Sequence, residues 1–271
     1  MDTTVYQSPT PSSSVPAVRA RALTKLYGKG EGTVRALDGV DVDFAAGRFT
    51  AIMGPSGSGK STLMHLLAGL DTASSGQASI GDTDVTTLSD NQLTALRRDR
   101  VGFVFQSFNL LPMFTAEQNI LLPLTLAGAS VDADVKEWLA TLVGTLGLGD
   151  RLSHRPAELS GGQQQRVAIA RALIARPEVV FADEPTGNLD SRSGAEVLSF
   201  LRRSVRELGR TIIMVTHDPA AAAYADRVIL IADGRIAGEI DNPTPESVLA
   251  GLDALRTFES TAETRTAQVT A

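Results

Sequence analysis

The chain has 271 residues and no cysteine, so disulfides, thiolate metal sites and a cysteine nucleophile are excluded. Its hydrophobic content of 43% and charged content of 21% are typical of a globular protein with one large domain or two small ones. The 25 basic and 31 acidic residues give a net charge of −6, which argues against a broad cationic surface for nucleic acid or anionic lipid.

The amino terminus predicts a tail followed by a small antiparallel sheet. Residues 1–16 have no Lys or Arg and are rich in Ser, Thr and Pro, which predicts a disordered tail and not a secretory signal. Residues 17–43 predict antiparallel strands around a glycine-rich turn at 28–32. No apolar stretch approaches the roughly 20 residues that span a bilayer, so we expect any membrane contact to go through a partner.

Short apolar runs alternate with helical patterns through the rest of the chain. The runs are mostly apolar, as strands buried on both faces should be, and the alternation predicts an α/β domain with a mostly parallel sheet. The predicted strands are 48–53, 101–105, 178–183, 211–215 and 227–232. The predicted helices of this core are 60–68, 163–175 and 193–208.

Helical patterns predominate between residues 89 and 160, where they cover 90–98, 116–126 and 132–146. We expect this stretch to be a helical insert carried by a core domain that spans residues 17–242. Residues 243–271 contain a short amphipathic segment and a Thr/Ala/Glu-rich end, which predict a short helix and a frayed tail.

A phosphate-binding motif, G-x-x-x-x-G-K-[ST], follows the first predicted core strand and precedes a helix, the context that this motif requires. Its glycines let backbone N–H groups point at phosphate oxygens, and the helix adds the positive end of its dipole. We expect Lys60 to reach the β- and γ-phosphates and Ser61 to ligate Mg²⁺. This phosphate loop consists of Gly54, Pro55, Ser56, Gly57, Ser58, Gly59, Lys60, Ser61 and Thr62.

The predicted strand 178–183 ends in a pair of acidic residues. Asp183 can hold Mg²⁺ through a water molecule, and Glu184 can polarise a water in line with the γ-phosphorus, as a general base does. Alone, such a pair is weak evidence, because paired acids at strand ends are commonly surface charges. Beside a phosphate loop, it indicates a site that hydrolyses a nucleoside triphosphate.

A phosphate loop leaves kinases, GTPases, helicases and transporter motors open, and the run 159–166, LSGGQQQR, decides among them. Ser160 and the N–H groups of Gly161 and Gly162 make a second anion site at a helix start. Such a site is redundant within one pocket, but it can cap the γ-phosphate of an ATP that another subunit holds. The chain thus resembles the ATP-binding cassette (ABC) ATPases, whose signature LSGGQ also includes Gln163.

The resemblance implies the fold of an ABC ATPase: a core with a mostly parallel sheet, an antiparallel β subdomain and an inserted α-helical subdomain. It also implies roles for residues outside the two loops. Tyr27 is similar to the aromatic residue that stacks on adenine, although a strand tyrosine packed on the sheet is the alternative. Gln106 is similar to the glutamine that senses Mg²⁺ and the attacking water. Residues 188–190 resemble the loop that crosses to the partner subunit, and His217 resembles the histidine that contacts the γ-phosphate.

The resemblance covers residues 17–240 and is closest to ATPases that release lipoproteins, export macrolides, sense antimicrobial peptides or act in cell division. It is carried outside the motifs above by the runs 27–31, 34–39, 51–64, 102–112 and 122–124. One departure concerns a segment that faces the membrane subunit in the family. Where the branch usually has Glu before Asn, this chain has Gln118 before Asn119, which bears on partner choice and leaves ATP chemistry untouched.

Other polar residues have ordinary structural interpretations. His65 and His154 occupy no family site and are interpreted as structural histidines. The arginine-rich runs 97–100 and 202–203 are interpreted as solvated helix faces and not as nucleic-acid patches. Trp138 in the helical insert is interpreted as a packing residue.

The resemblance implies an ATP-driven clamp. Two chains would bind ATP and Mg²⁺, close head to tail as a homodimer, and drive a separate transmembrane permease from the cytoplasmic face of the inner membrane. Export of lipophilic or peptide-type substrates is the favoured role. A mechanotransmission or regulatory ATPase that pulls on a membrane partner without transport is the alternative. A cassette ATPase acting on DNA or ribosomes is disfavoured, since the short spacing from Lys60 to Ser160 leaves no room for a long coiled coil.

Overall fold

The computed structural model describes residues 16–28 and 30–255. The tail predicted at 1–16, apart from Pro16, and the part of the predicted carboxy-terminal segment 243–271 that follows residue 255 lie outside the described residues. The strands are β1 Val18–Tyr27, β2 Val34–Phe44, β3 Phe49–Met53, β4 Ser75–Ile80, β5 Thr83–Asp84, β6 Val101–Phe105, β7 Val179–Asp183, β8 Thr211–Val215, β9 Arg227–Ala232 and β10 Arg235–Asp241. The helices are α1 Lys60–Leu67, α2 Asp90–Arg100, α3 Ala116–Leu126, α4 Ala133–Leu146, α5 Gly161–Ile174, α6 Ser191–Leu208, α7 Pro219–Ala222 and α8 at 245–255.

A six-stranded sheet in the order β10-β9-β3-β8-β7-β6 forms the centre of the molecule. The strands from β9 to β6 are parallel, and β10 pairs antiparallel with β9 at one edge. All residues of β3 and β8 are buried, as their mostly apolar sequences predict. Because parallel strands end at the same edge, the residues after Met53, Phe105, Asp183 and Val215 gather there.

The amino-terminal strands form a separate four-stranded sheet in the order β2-β1-β4-β5, and all its pairs are antiparallel. This confirms the predicted antiparallel subdomain. Helix α1 lies between the two sheets: its Leu63 packs in one cluster with Leu37 of β2, Ile80 of β4 and Phe181 of β7. The phosphate loop therefore leads into a helix that touches both sheets.

The helical layer consists of α3 and α4 packed against α5, with Ile120, Leu142 and Val167 in one buried cluster. Strand β6 falls inside the stretch 89–160 predicted as a helical insert, yet it pairs in parallel with β7 and belongs to the central sheet. Its apolar sequence VGFVF favours this position, so the inserted helices are reached only after Phe105. Among the described helices, none is both long and apolar enough to cross a membrane.

Trp138 fastens α4 to the core. Its indole Nε1 donates to the Leu173 carbonyl at 3.2 Å, and the guanidinium groups of Arg176 and Arg210 lie 5.3 and 5.4 Å from the centroid of its ring. These arginines stand on the connections that lead into β7 and β8. Two cation–π contacts therefore connect the inserted helix to two loops of the central sheet.

Gln118 and Asn119, the site of the departure from the family pattern, both shape the start of α3. Gln118 Oε1 accepts from the Thr115 N–H at 2.8 Å, and the Thr115 hydroxyl oxygen accepts from the Gln118 N–H at 3.2 Å. Glutamine and glutamate both complete this reciprocal cap, so the helix start tolerates the departure. Asn119 is fully buried and hydrogen-bonds to the backbone of Leu111, Phe114 and Thr115, which folds the preceding loop onto α3.

Candidate active site

The phosphate loop connects β3 to α1 and depends on glycines for close backbone approach. A Cβ on Gly54 would lie 2.0 Å from the Ile231 carbonyl oxygen, and one on Gly59 would lie 2.4 Å from the Ala36 carbonyl oxygen. Gly59 is the N-cap of α1 in the left-handed region, and no side chain caps the helix. The first N–H groups of α1 and the positive end of its dipole thus remain available to an anion.

Lys60 bends back over the phosphate loop. Its Nζ donates to the carbonyl oxygens of Gly54 at 3.0 Å and Pro55 at 2.6 Å. Burial lowers the pKa of Lys60, and the charges of Glu184 and Asp183 partly offset that effect. The ammonium makes no salt bridge with a described residue, so a bound phosphate would supply its counter-charge.

The remaining loop residues line the turn around this lysine. Ser56 and Gly57 are exposed at the tip, and Gly57 has a φ of 80°. Ser58 is buried, and its hydroxyl has no partner among the described residues. Ser61 is exposed on the first turn of α1.

Glu184 and His217 form a direct pair at the same edge of the sheet. The Glu184 Oε1 and His217 Nδ1 atoms are 2.8 Å apart. The Glu184 side chain is 20% exposed and that of His217 is 74% exposed, so the carboxylate is sheltered and the ring is open to a ligand. Glu184 has a φ of 46°, and its N–H donates to the Val215 carbonyl, so the left-handed backbone is held by the neighbouring strand.

The oxygen donors at the site suit Mg²⁺. Burial raises the pKa of Asp183 at the end of β7, and the charges of His65 and Lys60 oppose that rise. No group of three or more His, Cys, Asp or Glu side chains within 16–28 and 30–255 could hold a metal ion by itself. A hydroxyl from Ser61, a carboxylate from Asp183 and phosphate oxygens are, however, the donor set that Mg²⁺ takes in nucleotide sites.

Gln106 joins the loop that was predicted to cross to a partner. Its Nε2 donates to Asn188 Oδ1 at 3.1 Å, and Asn188 Nδ2 donates back to the Gln106 carbonyl oxygen at 3.1 Å. A Cβ on Gly187 would lie 2.8 Å from Gln106 Nε2, so a larger residue there would displace the Gln106 side chain from this position. Nothing in the sequence indicated that these two segments are in contact, and the structure joins them by these two hydrogen bonds.

The signature residues begin α5. Ser160 is its exposed N-cap: its hydroxyl oxygen accepts from the Gln163 N–H at 3.3 Å, and Gln163 Oε1 accepts from the Ser160 N–H at 2.9 Å. A Cβ on Gly162 would lie 3.0 Å from Ser193 Cβ, and one on Gly161 would lie 3.3 Å from Leu189 Cδ2. The glycines thus let α5 approach the start of α6. Within the described part of the chain, no hydrogen bond links the signature to the phosphate loop.

The sequence pattern did not predict the contacts that two polar residues of α5 make near the site. The fully buried Gln165 donates through Nε2 to the carbonyl oxygens of Phe105 at 3.2 Å and Pro185 at 2.6 Å. Arg171 donates to the carbonyl oxygens of Phe108 and Asn109, and burial lowers its pKa. Gln165 lies one turn before the apolar Ile169, so helical periodicity could have identified it as a polar residue on a buried face.

Tyr27 lies at the end of β1 with 42% of its surface exposed, which argues against the alternative of a tyrosine packed on the sheet. Its hydroxyl donates to Asp71 Oδ2 at 2.7 Å. Burial is the first cause that raises the pKa of Tyr27, and the bond to Asp71 is the second. The phenol end of Tyr27 is therefore fixed beside α1.

Comparison with known proteins gives consistent matches. The ABC transporter family model matches residues 37–187. The macrolide export ATP-binding/permease protein MacB of Marinobacter nauticus is 48% identical over 238 residues, 88% of this chain and 37% of that protein. MacB 1/2 of Paracoccus denitrificans is 50% identical over 227 residues, 84% of this chain and 34% of that protein. The chain thus spans about a third of the length of these curated relatives.

Solved structures extend the comparison to the fold. The dimeric post-hydrolysis state of the ATP-binding cassette MJ0796, bound to ADP and Pi, has 39% identity and a TM-score of 0.74, and the match covers 84% of this chain and 99% of that one. The predicted mostly parallel core, antiparallel subdomain and inserted helices are confirmed together. The family model also spans more than half of the sequence. The chain therefore belongs to the ABC transporter family, as an ATPase cassette that binds ATP.

Proposed function

We propose that two copies of this chain bind two Mg-ATP, close head to tail, and couple ATP hydrolysis to a separate membrane permease. The observation that carries the proposal is the division of the phosphate-binding groups. Lys60, Glu184 and His217 gather at one edge of the sheet, whereas Ser160 opens to solvent at the start of α5 and has no hydrogen bond to the phosphate loop. A second copy would bring its Ser160 to the γ-phosphate held by the first.

In the proposed hydrolysis, each side chain acts on the terminal phosphate. Lys60 and the first N–H groups of α1 hold the β- and γ-phosphates. Glu184 takes a proton from a water whose oxygen bonds to the γ-phosphorus, while the bond from phosphorus to the β–γ bridging oxygen breaks. His217 holds the carboxylate through Nδ1 and contacts the γ-phosphate. Mg²⁺, held by Ser61 and Gln106 and through water by Asp183, would neutralise charge on the phosphate oxygens.

A groove between β6 and α3 supports the proposal of a membrane partner. It has a volume of about 390 Å³, and its lining includes the apolar side chains of Phe103, Leu122 and Leu126. Leu126 is 75% exposed. Gln106 directly follows β6, so a helix of the permease seated here would lie close to the residue that contacts Asn188. The groove supports attachment to a membrane partner, and we propose that the chain attaches peripherally at the cytoplasmic face of the inner membrane.

The relatives' names combine ATP binding with a permease and with macrolide export. These names favour export of a lipophilic or peptide-type substrate by the complex that contains this chain. Affinity purification in detergent tests the partnership: we expect a polytopic permease to co-purify and to stimulate ATP hydrolysis. Stimulated hydrolysis without substrate movement in proteoliposomes would favour the mechanotransmission role, and a cassette that recovers no membrane protein would contradict both.

The head-to-tail arrangement predicts that Ser160→Asp abolishes hydrolysis. Aspartate caps a helix as well as serine does, so α5 should keep its start while the new charge repels the γ-phosphate of the partner. Mixing this variant with Lys60→Ala should restore about a quarter of the wild-type rate, since half of the dimers are mixed and each has one intact site. The rate is followed by phosphate release.

Ser199→Asp, an exposed serine in the middle of α6, is the matched control and should retain the wild-type rate. A Ser160→Asp variant that hydrolyses ATP normally, at a dilution where the protein is monomeric, would rule out a site shared between two chains.

A further inference from the structure

A cluster of charged and polar side chains lies beneath the ring of Tyr27. Lys25 and Tyr27 point to the same face of β1, because side chains alternate along a strand. Lys25 is 9% exposed, and its Nζ donates to Asp71 Oδ1 and to the Thr72 carbonyl oxygen, both at 2.6 Å. The same ammonium lies 4.8 Å from the centroid of the Tyr27 ring, within the range of a cation–π contact.

Asp71 uses both carboxylate oxygens in this cluster. Oδ1 accepts from Lys25 and from the Thr72 N–H at 2.7 Å, and Oδ2 accepts from the Tyr27 hydroxyl at 2.7 Å. Burial acts to raise the pKa of Asp71, but the hydrogen bonds from Lys25, Tyr27 and Thr72 outweigh it and hold the pKa below its ordinary value. The carboxylate is therefore ionised, and its hydrogen bonds are charge-assisted.

These contacts restrict the tyrosine ring at two points. The carboxylate fixes the hydroxyl end, and the ammonium contacts the ring. A tyrosine side chain otherwise rotates about two bonds, so an exposed ring without such contacts would lose orientational freedom when a base stacks on it.

We infer that Lys25 and Asp71 are positioning residues for nucleotide binding: they orient the Tyr27 ring so that it is ready to stack on the adenine of ATP. The inference rests on the proposed function, in which the phosphate loop holds the phosphates of ATP, and on the role that the family resemblance implies for Tyr27 as the aromatic residue that stacks on adenine. The two residues act through Tyr27, so they affect ligands that carry a base and leave binding of the phosphate chain alone unchanged.

Asp71→Asn tests this role with little change of shape. Three donors converge on the carboxylate, namely Lys25, the Tyr27 hydroxyl and the Thr72 N–H, but asparagine offers only one acceptor oxygen. We expect the KM for ATP to rise about fivefold, the loss of roughly one hydrogen bond, with kcat at saturating ATP unchanged. Affinity for inorganic tripolyphosphate, measured by calorimetry, should equal that of the wild type.

Tyr27→Phe isolates the same contact from the other side, because it removes only the hydroxyl. It should weaken ATP binding by a similar factor, and the double variant should be no weaker than either single variant, since both remove one interaction. Asp150→Asn, an exposed aspartate far along the chain, is the matched control and should bind ATP as the wild type does.

The outcomes separate this inference from the proposal that it extends. Wild-type ATP affinity in both Asp71→Asn and Tyr27→Phe would overturn the positioning role while ATP binding stands. Equal losses for ATP and tripolyphosphate in Asp71→Asn would overturn it too, because they indicate general damage to the phosphate loop. Should Asp71→Asn fail to fold, Tyr27→Phe alone decides. If the wild-type chain binds tripolyphosphate as tightly as ATP, the base makes no favourable contact with Tyr27, and the inference is wrong.

Discussion

Glu184→Gln is expected to reduce ATP hydrolysis at least about a hundredfold, the usual contribution of a positioned general base. Glutamine has the same shape as glutamate, so it can keep the contact with His217, but it cannot accept a proton from the attacking water. ATP binding should persist, because Lys60 and the N–H groups of α1 are unchanged. Phosphate release measured at saturating ATP gives the loss in turnover.

The same variant should accumulate as an ATP-bound dimer, since closure depends on the γ-phosphate and hydrolysis no longer removes it. Size-exclusion chromatography with and without ATP detects this shift. Glu137→Gln, on the exposed face of α4, is the matched control and should hydrolyse ATP normally and remain monomeric at steady state. If Glu184→Gln turns over ATP at the parent rate, another group is the base.

Lys60→Ala should weaken ATP binding about a hundredfold, which is typical when one member of a partly buried charge pair is removed. The ammonium lies over the loop at 2.6 Å from the Pro55 carbonyl oxygen and has no carboxylate partner among the described residues, so the nucleotide phosphates are its natural counter-charge. Calorimetric titration with ATP measures the loss of affinity, and Mg²⁺ is left out so that the ATP is not hydrolysed.

Lys136→Ala provides the comparison for this substitution, because Lys136 is an exposed lysine on α4. Its ATP affinity and melting temperature should match those of the wild type. ATP affinity in Lys60→Ala within a factor of two of the parent would show that Lys60 does not contact the phosphates.

The central sheet was predictable because its strands are buried on both faces. The predicted ranges 101–105, 211–215 and 227–232 coincide with β6, β8 and β9, and their burial leaves little choice of residue type. By contrast, β4 and β10 were missed. Strand β4 has the polar sequence SGQASI, and no residue of β10 is fully buried, so neither pattern separates them from loops.

The active-site motifs were predictable for a different reason: each is a local run whose residues act through neighbouring backbone atoms. Contacts between distant segments gave no such signal. Gln106 and Asn188 are 82 positions apart, and Tyr27 and Asp71 are 44 apart, so only the fold brings them together. The same holds for Trp138, whose interpretation as a packing residue carried no hint of its two arginine neighbours.

The tryptophan at position 138 is the only one in the sequence, and its indole contacts two guanidinium groups that belong to loops of the central sheet. The emission of an indole depends on the charges beside it. Any shift of α4 relative to these loops changes the distance from the ring to both cations and therefore the emission spectrum. The chain thus contains an optical reporter of movement in its helical layer, which needs no attached dye.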